Sequence, residues 1–264
     1  MEERGTAVVT GASRGIGRAV AIELASRGYD VVATMRDVRA GADLQGVRVE
    51  RLDVTEPASI ALPAGLRVLV NNAGVEDDNL PIETMPAAVW RKLFETNVFG
   101  LVEVTKRAVP IMRAGGGGVI CNVTSSSTLA PVPFLGAYRA SKAAVSAIGE
   151  SLRAEVSPFG IRVVEIMPGP IETDMLAISD RPAAAIDEDS YRALATRMWE
   201  TRQGIRDLYT PAAEAARRIA DAIADDDGPL RYGCDDMSEG MLAGWNTSAS
   251  NEAWMRSMLR AFTI

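Results

Sequence analysis

The chain has no histidine. That single absence removes Ser-His-Asp and Cys-His mechanisms, imidazole metal ligation and histidine proton shuttles together. Cysteine is nearly missing too. Cys121 and Cys234 stand far apart, which argues against a disulfide framework or a zinc site, and Cys121 lies in an apolar run that suits a small core residue. No apolar run approaches the ~20 residues of a membrane span, and the opening Met1-Glu2-Glu3-Arg4 is too acidic and short for a signal peptide, so a cytoplasmic location is expected. There is no excess of positive charge: at −7 the chain is a poor match for nucleic acid or an anionic membrane. No repeat or low-complexity linker is evident. What remains is a 264-residue chain, 47% hydrophobic and 24% charged. It can bury one α/β core, although its length alone permits two smaller ones. Acid–base work must fall to Tyr, Lys, Asp or Glu.

Residues 7–9 read as a short buried strand, followed by Thr10-Gly11-Ala12-Ser13-Arg14-Gly15-Ile16-Gly17 and an apolar-periodic helix over 18–27. Three glycines alone mean tight packing. Between a strand and a helix they also let backbone approach a pyrophosphate, whose charge the helix N-terminus favours. A second strand from Asp30 to Thr34 or Met35 delivers Arg36, nineteen residues after Gly17, where an adenosine ribose is usually judged. An arginine there pairs with a 2′-phosphate; Arg36, with Arg14 as a second cation, favours NADP(H). Asp37 leaves NAD(H) open, since it could hold a ribose or merely cap the next turn. Residues 47–52 form a third strand ending at Asp53, which either contacts the adenine or caps a short helix from Pro57. A fourth strand, 67–70, runs into Asn71-Asn72-Ala73-Gly74, small enough for a flat ligand to approach.

Tyr138 and Lys142 share one helix face. A free phenol titrates near ~10, and a cation at ~4 Å and effective dielectric ~20 lowers that by at most about three units, so the pair can trade protons near neutrality. An exposed Tyr and Lys on an amphipathic helix is the plainer reading of the spacing alone. Asn97 sits near the junction of two helical patterns over 85–112, where it kinks the helix or finishes a buried turn. Pro168-Gly169-Pro170 stops a strand over 161–166 and makes a rigid turn.

Taken in order, the glycine turn, Asp53-Val54, Asn71-Asn72-Ala73-Gly74, Asn97, Ser125, Tyr138-x-x-x-Lys142 and Pro168-Gly169-Pro170-Ile171-Glu172-Thr173 resemble the short-chain dehydrogenase/reductase family, over residues 5 to about 175. The resemblance implies a single Rossmann-like domain: a doubly wound parallel sheet of about seven strands with helices on both faces. It implies a nicotinamide cofactor held by Gly11, Ser13, Arg14, Gly15, Ile16, Gly17, Arg36, Asp53, Val54, Asn72, Ala73 and Gly74, and further by Tyr138, Lys142, Pro168, Gly169, Ile171 and Thr173. The resemblance also implies an active serine thirteen residues before the tyrosine, which makes Ser125 the candidate among four neighbouring hydroxyls. In the implied mechanism Ser125 and Tyr138 hydrogen-bond a carbonyl, Tyr138 supplies the proton, Lys142 binds ribose and depresses the Tyr138 pKa, and Asn97 holds a relay water.

The remaining chain is less specific. Residues 174–210, with Met175, Leu176, Ile178, Tyr191, Leu194, Met198 and Trp199, lie where the family builds a substrate lid, or simply pack on the domain. With Leu129, Val132 and Phe134 they suggest a pocket for an apolar or bulky carbonyl or alcohol. After a helix over 212–224 and an edge strand over 230–233, the apolar tail 234–264 replaces the Asp-Gly-Gly ending common in tetrameric members. It could cover the site, meet a partner, or pack on its own domain. A homotetramer is therefore less expected than a homodimer through 99–113 and 138–157. The favoured activity is NADP(H)-dependent interconversion of a secondary alcohol and a ketone or aldehyde. A carrier-protein-linked 3-oxoacyl reductase is weakly disfavoured by the neutral loop 115–118. A dinucleotide-sensing regulator need not keep Ser125, Tyr138 and Lys142 together.

Overall fold

The computed structural model describes residues 4–179 and 182–262, with 177–179 as backbone. Expectations placed on Met1, Glu2, Glu3 and the Ile178 side chain lie outside the described residues. From the N-terminus, β1 (Thr6–Val9) leads through the glycine turn to α1 (Gly15–Ser26), then β2 (Asp30–Met35), β3 (Arg48–Arg51) and β4 (Leu66–Asn71). Next come α2 (Ala87–Phe94), a π-helical segment (Glu95–Gly100), α3 (Leu101–Ala114), β5 (Gly118–Val123), α4 (Gly136–Val156) and β6 (Ile161–Ile166). The later part holds β7 (Ile171–Glu172), α5 (Asp174–Ser179), α6 (Arg192–Gln203), β8 (Thr210–Pro211), α7 (Ala212–Ala224), β9 (Arg231–Tyr232), α8 (Asp236–Thr247) and α9 (Asn251–Leu259).

Seven strands pair in the order β3-β2-β1-β4-β5-β6-β9, all parallel, so the expected Rossmann-like doubly wound domain is the one formed. Side chains alternate across each strand, and a parallel sheet covered on both faces needs both sets to be apolar. In β1, Ala7 and Val9 join Val70, Cys121 and Ile166 on one face, whereas Val8 joins Leu69, Ile120 and Val163 on the other. The first face is closed by Val20, Ala21 and Leu24 of α1 with Ala216 and Ile219 of α7; the second is closed by Val104, Ala108 and Met112 of α3. Ile120 and Met112 are fully buried, and truncating either to alanine should cost roughly 2–5 kcal/mol. Both cysteines are free and buried, and burial pushes the Cys121 thiol up to about 12, so it behaves as the inert core residue anticipated.

The helix expected from Pro57 is as short as the spacing implies, a single 3-10 turn over Pro57–Ser59, because a dozen residues must cross back over the sheet and most of that length is spent in reach. One expectation needs correction. The last strand is only Arg231–Tyr232, since a capped helix begins four residues later and ends the ladder. A feature absent from the sequence reading is the small parallel pair β7–β8, which ties both ends of the 174–210 segment together. No described helix is long and apolar enough to cross a membrane.

The chain leaves β1 toward β2 and β3 and returns to β4 on the opposite side. That reversal opens a crevice at the carboxyl ends of β1 and β4, the position at which open α/β sheets take ligands.

Candidate active site

The crevice is sealed at its base by hydrogen bonds between the glycine turn and the Asn71-Asn72-Ala73-Gly74 stretch. The Thr10 hydroxyl accepts from the backbone N–H groups of Asn72 and Ala73, both at 3.0 Å, and Asn72 Nδ2 donates to the carbonyls of Thr10 (3.0 Å) and Gly11 (3.2 Å). Gly11 and Gly15 have φ of 65° and 56°, and a Cβ on Gly11 would come within 2.8 Å of the Ala73 Cα. A side chain there meets both left-handed strain and backbone collision. Gly17 serves packing: its Cβ would lie 2.3 Å from Asn72 Nδ2. The first turn of α1 has no side-chain cap and no acidic residue, so its amides remain available to an anion.

A cavity of about 530 Å³ runs from this turn past the end of β5 to the insert and tail. All the anticipated site residues line it except Gly17 and Asn97. At the adenosine end, Arg36 lines the wall but Asp37 does not. The Asp37 carboxylate accepts instead from Arg39 N (3.1 Å), Nε (2.9 Å) and Nη2 (2.7 Å), and those bonds hold its pKa down to about 2. It caps the following 3-10 turn. Asp53 lines the cavity and also accepts from Thr55 N and Oγ1; burial acts to raise its pKa, but these bonds and the field of Arg36 leave it lowered. Arg14 lines the cavity, and its guanidinium also lies 3.3 Å from Asp174 of α5, an exposed ion pair, because Gly15 sits against Thr173 and brings that helix alongside.

At the other end, Ser125 follows β5 and its Oγ accepts from Ser127 N at 3.2 Å, fixing the turn that presents it. Tyr138 is in the first turn of α4, and Lys142 Nζ lies 5.8 Å from the Tyr138 ring centroid while donating to the Val123 carbonyl at 2.9 Å. Burial lowers the Lys142 pKa to about 8, with Glu76 opposing. The Tyr138 phenol is raised, not lowered: burial dominates, Glu76 adds to it, and the hydrogen bond with Ser125 offsets only part. The expected depression by Lys142 does not prevail, because the cost of burying the phenolate outweighs it. Glu76, which also lines the cavity, was missed in the sequence; it follows the Asn-Ala-Gly stretch with nothing local to mark it.

Asn97 occupies the π-helical segment, a bulge of the kind often found at functional sites. Its amide bonds both the N–H (2.8 Å) and C=O (3.0 Å) of Val75 and donates to Ser141 Oγ (3.0 Å), finishing a buried turn. A Cβ on Gly74 would be 3.4 Å from both Asn97 Oδ1 and Lys142 Nζ, so a single glycine separates the two.

Pro168 accepts from Ser126 N at 2.9 Å, joining the loop after β6 to the serine turn. Beyond it the cavity is lined by Met175, Leu176 and Met198 from the insert and by Met237, Met241, Met258 and Phe262 from the tail. Tyr191 and Leu194 instead pack around Phe134, with the Phe134 and Tyr191 rings edge to face at 5.9 Å. The tail thus packs on its own domain and covers the site at once, pinned where Trp254 Nε1 donates to the Leu129 carbonyl. No group of His, Cys, Asp and Glu among the described residues could hold a metal ion.

Open helix amides over a glycine cradle, an arginine at the ribose position and a hydroxyl pair further along suit a nicotinamide dinucleotide. The fold and the crevice define a dinucleotide-binding α/β protein. Residues 5–183 match the family model for short chain dehydrogenases. The chain is 37% identical over 204 residues to the uncharacterized oxidoreductase YusZ of Bacillus subtilis, covering 70% of this chain and 72% of that one. A short-chain dehydrogenase from Streptomyces avermitilis superposes with a TM-score of 0.79 at 31% identity, over 98% of this chain and 96% of that one. One from Burkholderia cenocepacia, in complex with NADP, superposes with a TM-score of 0.77 at 24% identity over 99% of each chain and shares the fold. The chain belongs to the short-chain dehydrogenase/reductase family of oxidoreductases, which bind a nicotinamide dinucleotide.

Proposed function

We propose that the protein is an NADP(H)-dependent oxidoreductase that interconverts a secondary alcohol and a ketone or aldehyde on an apolar or bulky substrate. The observation that carries this reading is one cavity with the glycine cradle and Arg36 at one end and Ser125, Tyr138 and Lys142 at the other. Arg36 supports the phosphorylated cofactor, and Asp37, bound up with Arg39, offers no competing carboxylate. Arg14 contributes less to that preference than its sequence position suggests.

A nicotinamide held between the glycine cradle and Tyr138 and Lys142 would supply or accept the hydride. Ser125 and Tyr138 donate hydrogen bonds to the substrate oxygen, preorganised where negative charge develops during reduction. Tyr138, with its pKa raised, is protonated at neutral pH and gives up its proton as that charge appears. Lys142 holds the ribose side of the site, and Asn97 keeps residues 74–75 and the Lys142 neighbourhood in register. The 174–210 insert acts as the substrate lid and the tail as a second wall. A homodimer through 99–113 and 138–157 fits the exposure of Phe99 on that side.

The test is titration with NADPH and NADH, followed by a screen of apolar ketones and aldehydes for loss of nicotinamide absorbance. We expect tighter NADPH binding and turnover of at least one bulky carbonyl. Tighter NADH binding would overturn the Arg36 assignment.

A further inference from the structure

We propose that Asp235, in the C-terminal tail, is the positioning residue that sets the nicotinamide-side loop at Gly169, so that the tail is a working part of the cofactor site. The inference rests on the dinucleotide reading above. Asp235 is completely buried, and no ion pair accompanies it among the described residues. Its Oδ2 accepts from Gly169 N at 2.7 Å and from Ser238 Oγ at 2.7 Å, and its Oδ1 accepts from Ser238 N at 2.9 Å. Ser238, itself buried, closes a capping box at the start of α8 by accepting from Cys234 N and Asp235 N. Three donors and the positive end of α8 therefore stand in for a counter-ion.

Gly169 is a glycine for the same reason. Its Cβ would lie 2.4 Å from Asp235 Oδ1. The carboxylate thus grips the loop at the one residue between Pro168, which bonds the serine turn, and Pro170, whose carbonyl accepts from Thr210 N. The same helix places Met237 and Met241 on the cavity wall. Loop, serine turn and substrate wall meet at a single buried carboxylate, sixty-six residues from the glycine it holds.

Asparagine is nearly isosteric but has one acceptor oxygen where two carboxylate edges face donors. One edge of Asp235→Asn must then point N–H at N–H, at Gly169 or at Ser238, and the link between α8 and the loop is weakened. The adenosine half of the crevice is built from β1, β2 and β4 and shares no bond with Asp235. The experiment titrates wild type and variants with NADPH and NADH and with their adenosine halves, adenosine 2′,5′-bisphosphate and AMP. For Asp235→Asn we expect dinucleotide affinity to fall about tenfold or more, with the halves bound within about twofold of wild type. Ser250→Ala, which removes the cap of α9, is the control for simple destabilisation and should change neither. Wild-type dinucleotide affinity in Asp235→Asn, or equal loss for dinucleotide and half, overturns the assignment. Should Asp235→Asn not fold, Gly169→Ala strains the same contact and must show the same selective loss, and its absence overturns the assignment equally. Wild-type protein that binds no dinucleotide removes the cofactor reading and the inference with it.

Discussion

The two halves of the crevice are built differently. The adenosine half uses contiguous motifs: a glycine turn, an arginine at a strand end, and an amide-rich stretch, each short and each placed by the strand before it. The substrate half is assembled from distant pieces, with β5, α4, the insert and the tail each giving a few side chains to one wall. The first kind of site tolerates little change at any one backbone position. The second tolerates change at most wall positions and depends on the few bonds that hold its pieces together.

Substitutions can sharpen that contrast. The largest effect is expected where the halves meet. Lys142→Met should reduce turnover by roughly 10²–10⁴-fold and weaken NADPH, while thermal stability holds or rises, because a buried ammonium with its pKa lowered to about 8 is costly to keep charged. A large drop in melting temperature would show instead that Lys142 is structural. Gly11→Ala, in the contiguous half, should destabilise the protein by about 1–3 kcal/mol and abolish dinucleotide binding, as denaturant melts and titration would read. Arg36→Ala should weaken NADPH about tenfold and leave NADH unchanged. Equal loss of both would deny it a role at the ribose. In the assembled half, Trp254→Phe removes only the bond to the Leu129 carbonyl and should cost about 1 kcal/mol, with substrate KM moving more than cofactor KM.

The pH dependence follows from Lys142. Its native pKa lies below the unfolded value, so the ammonium is present below about 8 and is lost as pH rises through that value. NADPH affinity should therefore decline across that range. The stability sign is opposite: the folded state releases its proton first, so between about 8 and the unfolded pKa of 10.5 stability from this group rises with pH. Affinity that stays flat through this range would place the lysine elsewhere in the chemistry.

Legibility in the sequence divides along the same line. The strands and the sheet could be read, and a glycine turn between a strand and a helix carries its own geometry. Ser125, Tyr138 and Lys142 were pointed to by the family resemblance, and all three line one cavity. The tail role of Asp235 could not be read: Asp235-x-x-Ser238 marks a helix start, but nothing in it points to Gly169. The direction of the Tyr138 shift was also hidden, since it depends on burial and on Glu76. The Arg14–Asp174 pair followed from the closeness of Gly15 and Thr173, a contact between residues far apart in sequence.

On the proposed reading, one cavity joins a nicotinamide site to a tyrosine proton donor. Tyr138→Phe tests it most directly, with NADPH affinity and turnover of a screened ketone measured on the same preparation. Cofactor affinity is expected to stay near wild type and turnover to fall by about 10²–10⁴-fold. Unchanged turnover in that variant would contradict that reading.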